Sequence, residues 1–337
     1  MFKIVKLESG DQIIASWDII GHLAGWIDIL FQESKKLKDC GVLSALILNH
    51  ENKIYFHGGF VAPNLMLPIS YALNEEFYGQ YPGTRNVEVV PLLLCLVKKE
   101  LLEKLPIPDC AGECIFKDAE YCLKAQELGF KVYTTDELIV QFRGKGQGLE
   151  NKEEFTRQFT LNHNFFKEMW GNKLLEQYKY PIMYHTGVEA PTGFAIAAKN
   201  YISALLRSKI KVHYSNLFGI PEGEPLSDNG LVNDARELPP TMDLPQVVWA
   251  QAPLFFKNSG KYKIGHCEFE GTTAPSSWIA YCNMMNELWV PTKWDKEKFE
   301  KAGVKVPIYV IPQGIDPNYF HPNMAPIKTD AKEKFKF

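Results

Sequence analysis

The chain has 337 residues, enough for two domains. Hydrophobic residues make up 46% and charged residues 23%, which argues against both a disordered chain and a membrane-embedded one. A formal net charge of −3 with no long basic run argues against nucleic acid as a partner.

Lys3, Lys6, Glu8 and Asp11 follow Met1 closely, so no signal-peptide core is read there. The longest apolar stretch, Val89 to Val97, is interrupted by Pro91 and is too short to span a bilayer. Of seven cysteines only Cys110, Cys114 and Cys122 cluster, and a metal there would need a fourth ligand. Ordinary reduced thiols and a cytoplasmic location follow, with peripheral membrane association through a partner left open. Gly144-Lys145-Gly146-Gln147-Gly148 marks a break. Beyond it, Phe155, Phe159, Phe166 and Trp170 recur at helical spacing, predicting a helix over Asn151 to Trp170 with Gly171-Asn172 as its C-cap.

A domain boundary is therefore placed near Leu174 to Tyr178. Strands are predicted at Tyr180–His185, Lys211–Tyr214, Gln246–Gln251 and Lys263–Phe269, with a helix over Phe194–Leu206. Gly219 to Pro245 reads as a long surface loop with room for one helical turn. Strands alternating with helices predict a parallel sheet covered on both faces, whose ligands sit beyond the carboxyl ends of the strands. Three such ends carry polar or glycine residues. They are His185-Thr186-Gly187, leading to Thr192-Gly193 at a helix start; Trp249-Ala250-Gln251; and Glu268-Phe269-Glu270. Glycine lets backbone N–H groups approach a ligand, and a helix N-terminus favours polar or anionic oxygens. The spaced glycines of a dinucleotide fingerprint are missing, which argues against an NAD-type dehydrogenase.

Phe269-Glu270, Pro275, Trp278, Trp289-Val290-Pro291-Thr292, Gly303-Val304 and Ile311-Pro312-Gln313-Gly314-Ile315-Asp316 follow one another in a characteristic order. That order resembles the end of the first Rossmann-like domain of group 1 (GT-B) glycosyltransferases. Thr292 and Gln313 stand where Ser and Asn are commoner. The resemblance covers roughly residues 178 to 325. It implies an acceptor-side domain in which Gly187, Thr192, Gly193, Gln251, Glu270 and Gly314 contact donor or acceptor. In the family the nucleotide and a pair of spaced glutamates belong to the next domain. Residues 326–337 are accordingly expected to begin a missing donor domain, supplied elsewhere or by a partner chain.

Trp26-Ile27-Asp28-Ile29-Leu30, Gly41 to Asn49, Asn52-Lys53-Ile54 and His57-Gly58-Gly59 are similar to the later part of a family 2 (GT-A) glycosyltransferase. Phe116 to Lys124, followed by Glu127-Leu128-Gly129-Phe130, continues the likeness. The resemblance places Asp118 on the aspartate that takes the proton of the acceptor hydroxyl. Capping of helix amides is the other role open to Asp118. Lys117 and Gln141 depart from the family's glutamate and histidine, and Pro91-Leu92 from a Thr-Gly pair. The Asp-x-Asp motif is expected near Lys6 to Asp11, where Glu8 and Asp11 would hold a Mg²⁺ or Mn²⁺ ion.

The expected architecture is α/β, with two Rossmann-like domains: a partial GT-A domain over 1–173 and the N-terminal half of a GT-B fold over 174–325. The expected function is transfer of a sugar from a nucleotide-sugar donor to a glycan or glycoconjugate acceptor. A non-catalytic carbohydrate-binding or scaffolding remnant is the alternative.

Overall fold

The computed structural model describes residues 2–20, 25–79, 81–109, 114–144, 152–219, 230–236, 242–317 and 320–322. The expected tail at 326–337 and Cys110 lie outside these residues, as does most of the break at 144–148. The chain forms two compact units. Residues 1–61, 68–164 and 315–337 make the first, and 62–67 and 165–314 the second.

The first unit contains β1 (Phe2–Lys6), β2 (Gln12–Ser16), β3 (Ile19–Ile20), α1 (Trp26–Lys36), β4 (Cys40–Leu48) and β5 (Ile54–Phe56). The ribbon of β6 (Gly59–Ala62) and β7 (Leu67–Ser70) follows, with its turn counted in the second unit. Then come β8 (Arg85–Val87), β9 (Leu94–Val97), α2 (Lys99–Leu102), α3 (Ile115–Glu127) and β10 (Lys131–Phe142). The main sheet has the order β1-β2-β9-β4-β10-β3, with β5 added to β4 and β8 to β10. β9 runs antiparallel to both β2 and β4, while β4 and β10 are parallel. Hence β2, β4 and β10 all point the same way, and their carboxyl ends share one edge of the sheet.

The apolar run Val89–Val97 is core because β9 sits between β2 and β4, where both faces are covered. Pro91 precedes the strand, where its missing N–H removes nothing from the ladder. Ser44, buried in β4, satisfies its hydroxyl by donating to the Leu94 carbonyl at 3.1 Å. His57 is fully buried between Thr134 Oγ1 at 3.2 Å and the Tyr81 carbonyl at 3.0 Å. A carbonyl only accepts, so Nε2 carries the proton and Thr134 donates to Nδ1.

α4 (Lys152–Leu175) contains the boundary between the units, ten residues before the expected position. The expected C-cap at Gly171-Asn172 does not form. Phe166, Trp170, Gly171 and Leu174 are all buried, and their packing carries the helix one turn further. The second unit continues with β11 (Lys179–Thr186), α5 (Gly193–Arg207), β12 (Ile210–Asn216), α6 (Gly230–Arg236) and β13 (Pro245–Trp249). A 3-10 turn (Ala252–Lys257), β14 (Tyr262–His266), α7 (Ser276–Cys282), β15 (Glu287–Val290), α8 (Lys293–Ala302) and β16 (Ile308–Val310) complete it.

Its six strands take the order β12-β11-β13-β14-β15-β16, every pair parallel. The expected alternation of strands and helices is present. Thr192 caps α5 by accepting from the Ala195 N–H at 3.2 Å. Thr292 caps α8 the same way, accepting from Asp295 N–H at 3.0 Å and donating to its carboxylate at 2.6 Å. Val248, Phe255, Leu288, Val290 and Phe299 fill one core cluster beneath these elements. The six described cysteines are free thiols. Among the described residues, no helix is long and apolar enough to cross a membrane.

Candidate functional site

The shared edge of the first unit collects its chemistry. β2 ends at Ser16, whose N–H donates to the Leu93 carbonyl at 2.7 Å. Leu92, which precedes Leu93 in the turn before β9, donates its N–H to Asp118 at 3.0 Å. Ser16-Trp17-Asp18 and Asp118 therefore flank the same dipeptide. From there the chain crosses to β3, where Ile19 pairs with Phe142 and the Asp18 carbonyl accepts from Arg143 N–H at 2.8 Å. Trp17 is 65% exposed and Asp18 is exposed beside it. Asp118 lies in the first turn of α3 and is itself buried.

Tyr55 of β5 closes the constellation. Its ring stacks on Phe142 with centroids 5.0 Å apart and planes at 22°. Burial, and then the nearby Asp118 carboxylate, push its phenol above the ordinary range. Gln141, where the resemblance expects histidine, donates to the Asn49 carbonyl at 3.3 Å and Asn52 Oδ1 at 3.1 Å.

Glu8 and Asp11 do not join this group. They lie in the β1–β2 turn, at the amino end of β2, while Asp118 and Leu92 sit at its carboxyl end. Four residue steps of strand separate the two ends by about 13 Å. Asp11 is also committed elsewhere, accepting from Lys98 Nζ and Lys99 N–H, both at 2.9 Å. Burial raises its pKa, and these two bonds outweigh that and hold it below the usual carboxylate range. Glu8 and Asp11 thus lie apart from Asp118, with Asp11 held by Lys98 and Lys99. The carboxylate just beyond the carboxyl end of β2 is Asp18, which the sequence alone did not single out. One carboxylate and one hydroxyl make a poor donor set for Mg²⁺ or Mn²⁺. No group of three or more His, Cys, Asp or Glu suited to a metal occurs among the described residues.

In the second unit, β11 and β13 are neighbours whose connections leave in opposite directions, and their carboxyl ends define a crevice. Thr186 Oγ1 ties the two ends together by donating to the Trp249 carbonyl at 3.0 Å. Gly187 follows, packed against the Phe218 ring. Thr192 and Gly193 stand at the start of α5, as read from the sequence. Gln251 is exposed at the head of the 3-10 turn, and Gly314 is exposed beyond β16. β14 ends at His266, three residues before the expected end, so strand alternation does not govern Glu268 and Glu270.

Glu270 is exposed, while Glu268 is half-buried and accepts Gln313 Nε2 on both oxygens, at 3.0 and 3.1 Å. Burial raises the pKa of Glu268. Trp249 and Gln313 offset part of that, and Asp295 and Glu270 add to it. The carboxylate facing the neighbouring strand ends is therefore Glu268. Glu189, in the loop after β11, takes Arg236 and Asn216 as partners. No family model, curated protein or solved structure matches the chain.

Proposed function

We propose that the chain is a segment of a glycosyltransferase, with the first unit acting on the acceptor hydroxyl. The observation that carries this reading is the placement of Asp118, bonded to Leu92 N–H, by the end of β2, whose Ser16 bonds the adjacent Leu93, at the carboxyl ends of β2, β4 and β10. Of the residues quoted for the GT-A resemblance, Asp118 lies at this edge. Asp118 would take the proton from the acceptor hydroxyl as the oxygen attacks the sugar carbon and the sugar–phosphate bond breaks. Leu92 N–H would hold the carboxylate in place. In the second unit, Glu268 and Gln313 would contact hydroxyl groups beyond the strand ends.

A second reading is a non-catalytic carbohydrate-binding remnant. It is favoured by the burial of Asp118, 2% exposed and already bonded to a backbone N–H. The two are separated by incubating the chain with nucleotide-sugars and glycan acceptors while following release of the nucleotide. Under the first reading, Asp118→Asn keeps the fold and lowers turnover by about 100-fold or more. Equal turnover in variant and parent removes Asp118 as base. Glycan binding without any turnover in the parent leaves the second reading standing.

A further inference from the structure

We infer that Tyr55 and Phe142 form a stacking platform for one pyranose ring of the acceptor, an inference that rests on the transferase reading of the first unit. Tyr55 belongs to a short strand with alternating burial, so Ile54 and Phe56 enter the core while Tyr55 faces outward. One of its faces covers Phe142 at 5.0 Å, and 37% of the residue stays exposed. The Phe142 ring can lie where it does because residue 144 is glycine. A Cβ there would come within 2.2 Å of the ring's Cζ. An outward tyrosine backed by a second ring is a rigid apolar surface of the size of a sugar ring.

The rim of this surface is polar and carries charges of both signs. The Tyr55 phenol senses the Asp118 carboxylate. Phe142 pairs with Ile19, and the neighbouring Asp18 and Arg143 are exposed. Axial C–H groups of a pyranose carry partial positive charge and suit the negative face of an aromatic ring. Its equatorial hydroxyls are donors that suit carboxylates. A nucleoside diphosphate also stacks, but its phosphates would meet the exposed Asp18 as well as Arg143, so the rim's charge gives it no net attraction. The platform therefore takes the neutral acceptor ring, and it sets that ring beside the carboxylate that receives the proton.

Saturation-transfer NMR with methyl β-glucoside, methyl β-galactoside and methyl α-mannoside tests this on the full chain. At least one glycoside is expected to receive saturation most strongly on its ring C–H protons. Tyr55→Ala should weaken its binding about tenfold, and Tyr55→Phe should keep it. Gly144→Ala, which displaces the Phe142 ring, should weaken it as well. Wild-type binding by Tyr55→Ala overturns the platform, as does displacement of the glycoside by a nucleoside diphosphate, or no saturation transfer to any glycoside. Nucleotide-sugar turnover by the unsubstituted chain reports on the transferase reading separately. Turnover with glycoside binding indifferent to Tyr55 rejects the platform alone.

Discussion

Lowering the pH from 7 to 5 is expected to cost the folded chain about 2 kcal/mol for each of two buried imidazoles. His57 is held neutral in the first unit, its pKa lowered from 6.5 to about 4 by burial and, secondarily, by the Arg85 charge. His266 is held neutral in the second unit, lowered to about 3 by burial. It is stacked on Trp249 at 4.3 Å, with Tyr201 and Trp289 edge-on at 6.0 and 6.1 Å, and neither ring nitrogen has a hydrogen-bond partner.

In both cases the unfolded chain takes up a proton near pH 6.5 and the folded chain does not. Stability is thus complete above about pH 6.5 and declines as pH falls, until each folded pKa is reached. Asp136 and Glu268, raised by burial, bind protons more readily when folded and offset part of the loss as they titrate. Urea denaturation at both pH values measures the effect. His266→Phe removes no hydrogen bond and should flatten the pH dependence of the second unit. His57→Phe should cost stability at every pH, because it strands Thr134 and the Tyr81 carbonyl. An unchanged pH slope in His266→Phe would show that this imidazole is not the source.

Gly59→Ala is expected to destabilise the first unit by about 3 kcal/mol, at the upper end for overpacking. A Cβ on Gly59 would lie 2.3 Å from the Ile69 carbonyl oxygen and 3.1 Å from its carbon. Those are backbone atoms of the facing strand β7, and no rotamer change can move them. Gly59 also exchanges hydrogen bonds with Val89, its N–H donating to the Val89 carbonyl at 3.0 Å. Relief would require β6 and β7 to part, exposing Phe60 and Val61, both buried. A thermal or urea midpoint close to that of the parent would mean that the ribbon yields without loss.

The glycines of His57-Gly58-Gly59 drew attention in the sequence as a family likeness, and the structure supplies a steric reason for the second of them. Other features were legible because they are local. Thr192 sits one residue before its helix, at the helix start read from the sequence, and a hydroxyl next to an unsatisfied helix amide is a short-range interaction. Strand and helix alternation after Tyr180 was readable from apolar spacing. Gly171-Asn172 misled because a cap signal is local, whereas Trp170 and Leu174 are held by packing against distant residues.

By itself the sequence determined the element types, most of their order, and Asp118 at a loop-to-helix junction. Those follow from periodicity and capping, which act within a few residues. Tertiary structure alone decided which end of β2 faces Asp118. That depended on β9 running antiparallel between β2 and β4, a pairing between residues some eighty positions apart. The same pairing puts Asp18, and not Glu8 or Asp11, just beyond the end of β2 that adjoins Leu93. In the second unit, ending β14 at His266 left Glu268 with Gln313 and Glu270 in solvent. A strand's polarity and its last residue are set by the neighbours it bonds to, and a one-residue difference there reverses which side chain faces the site.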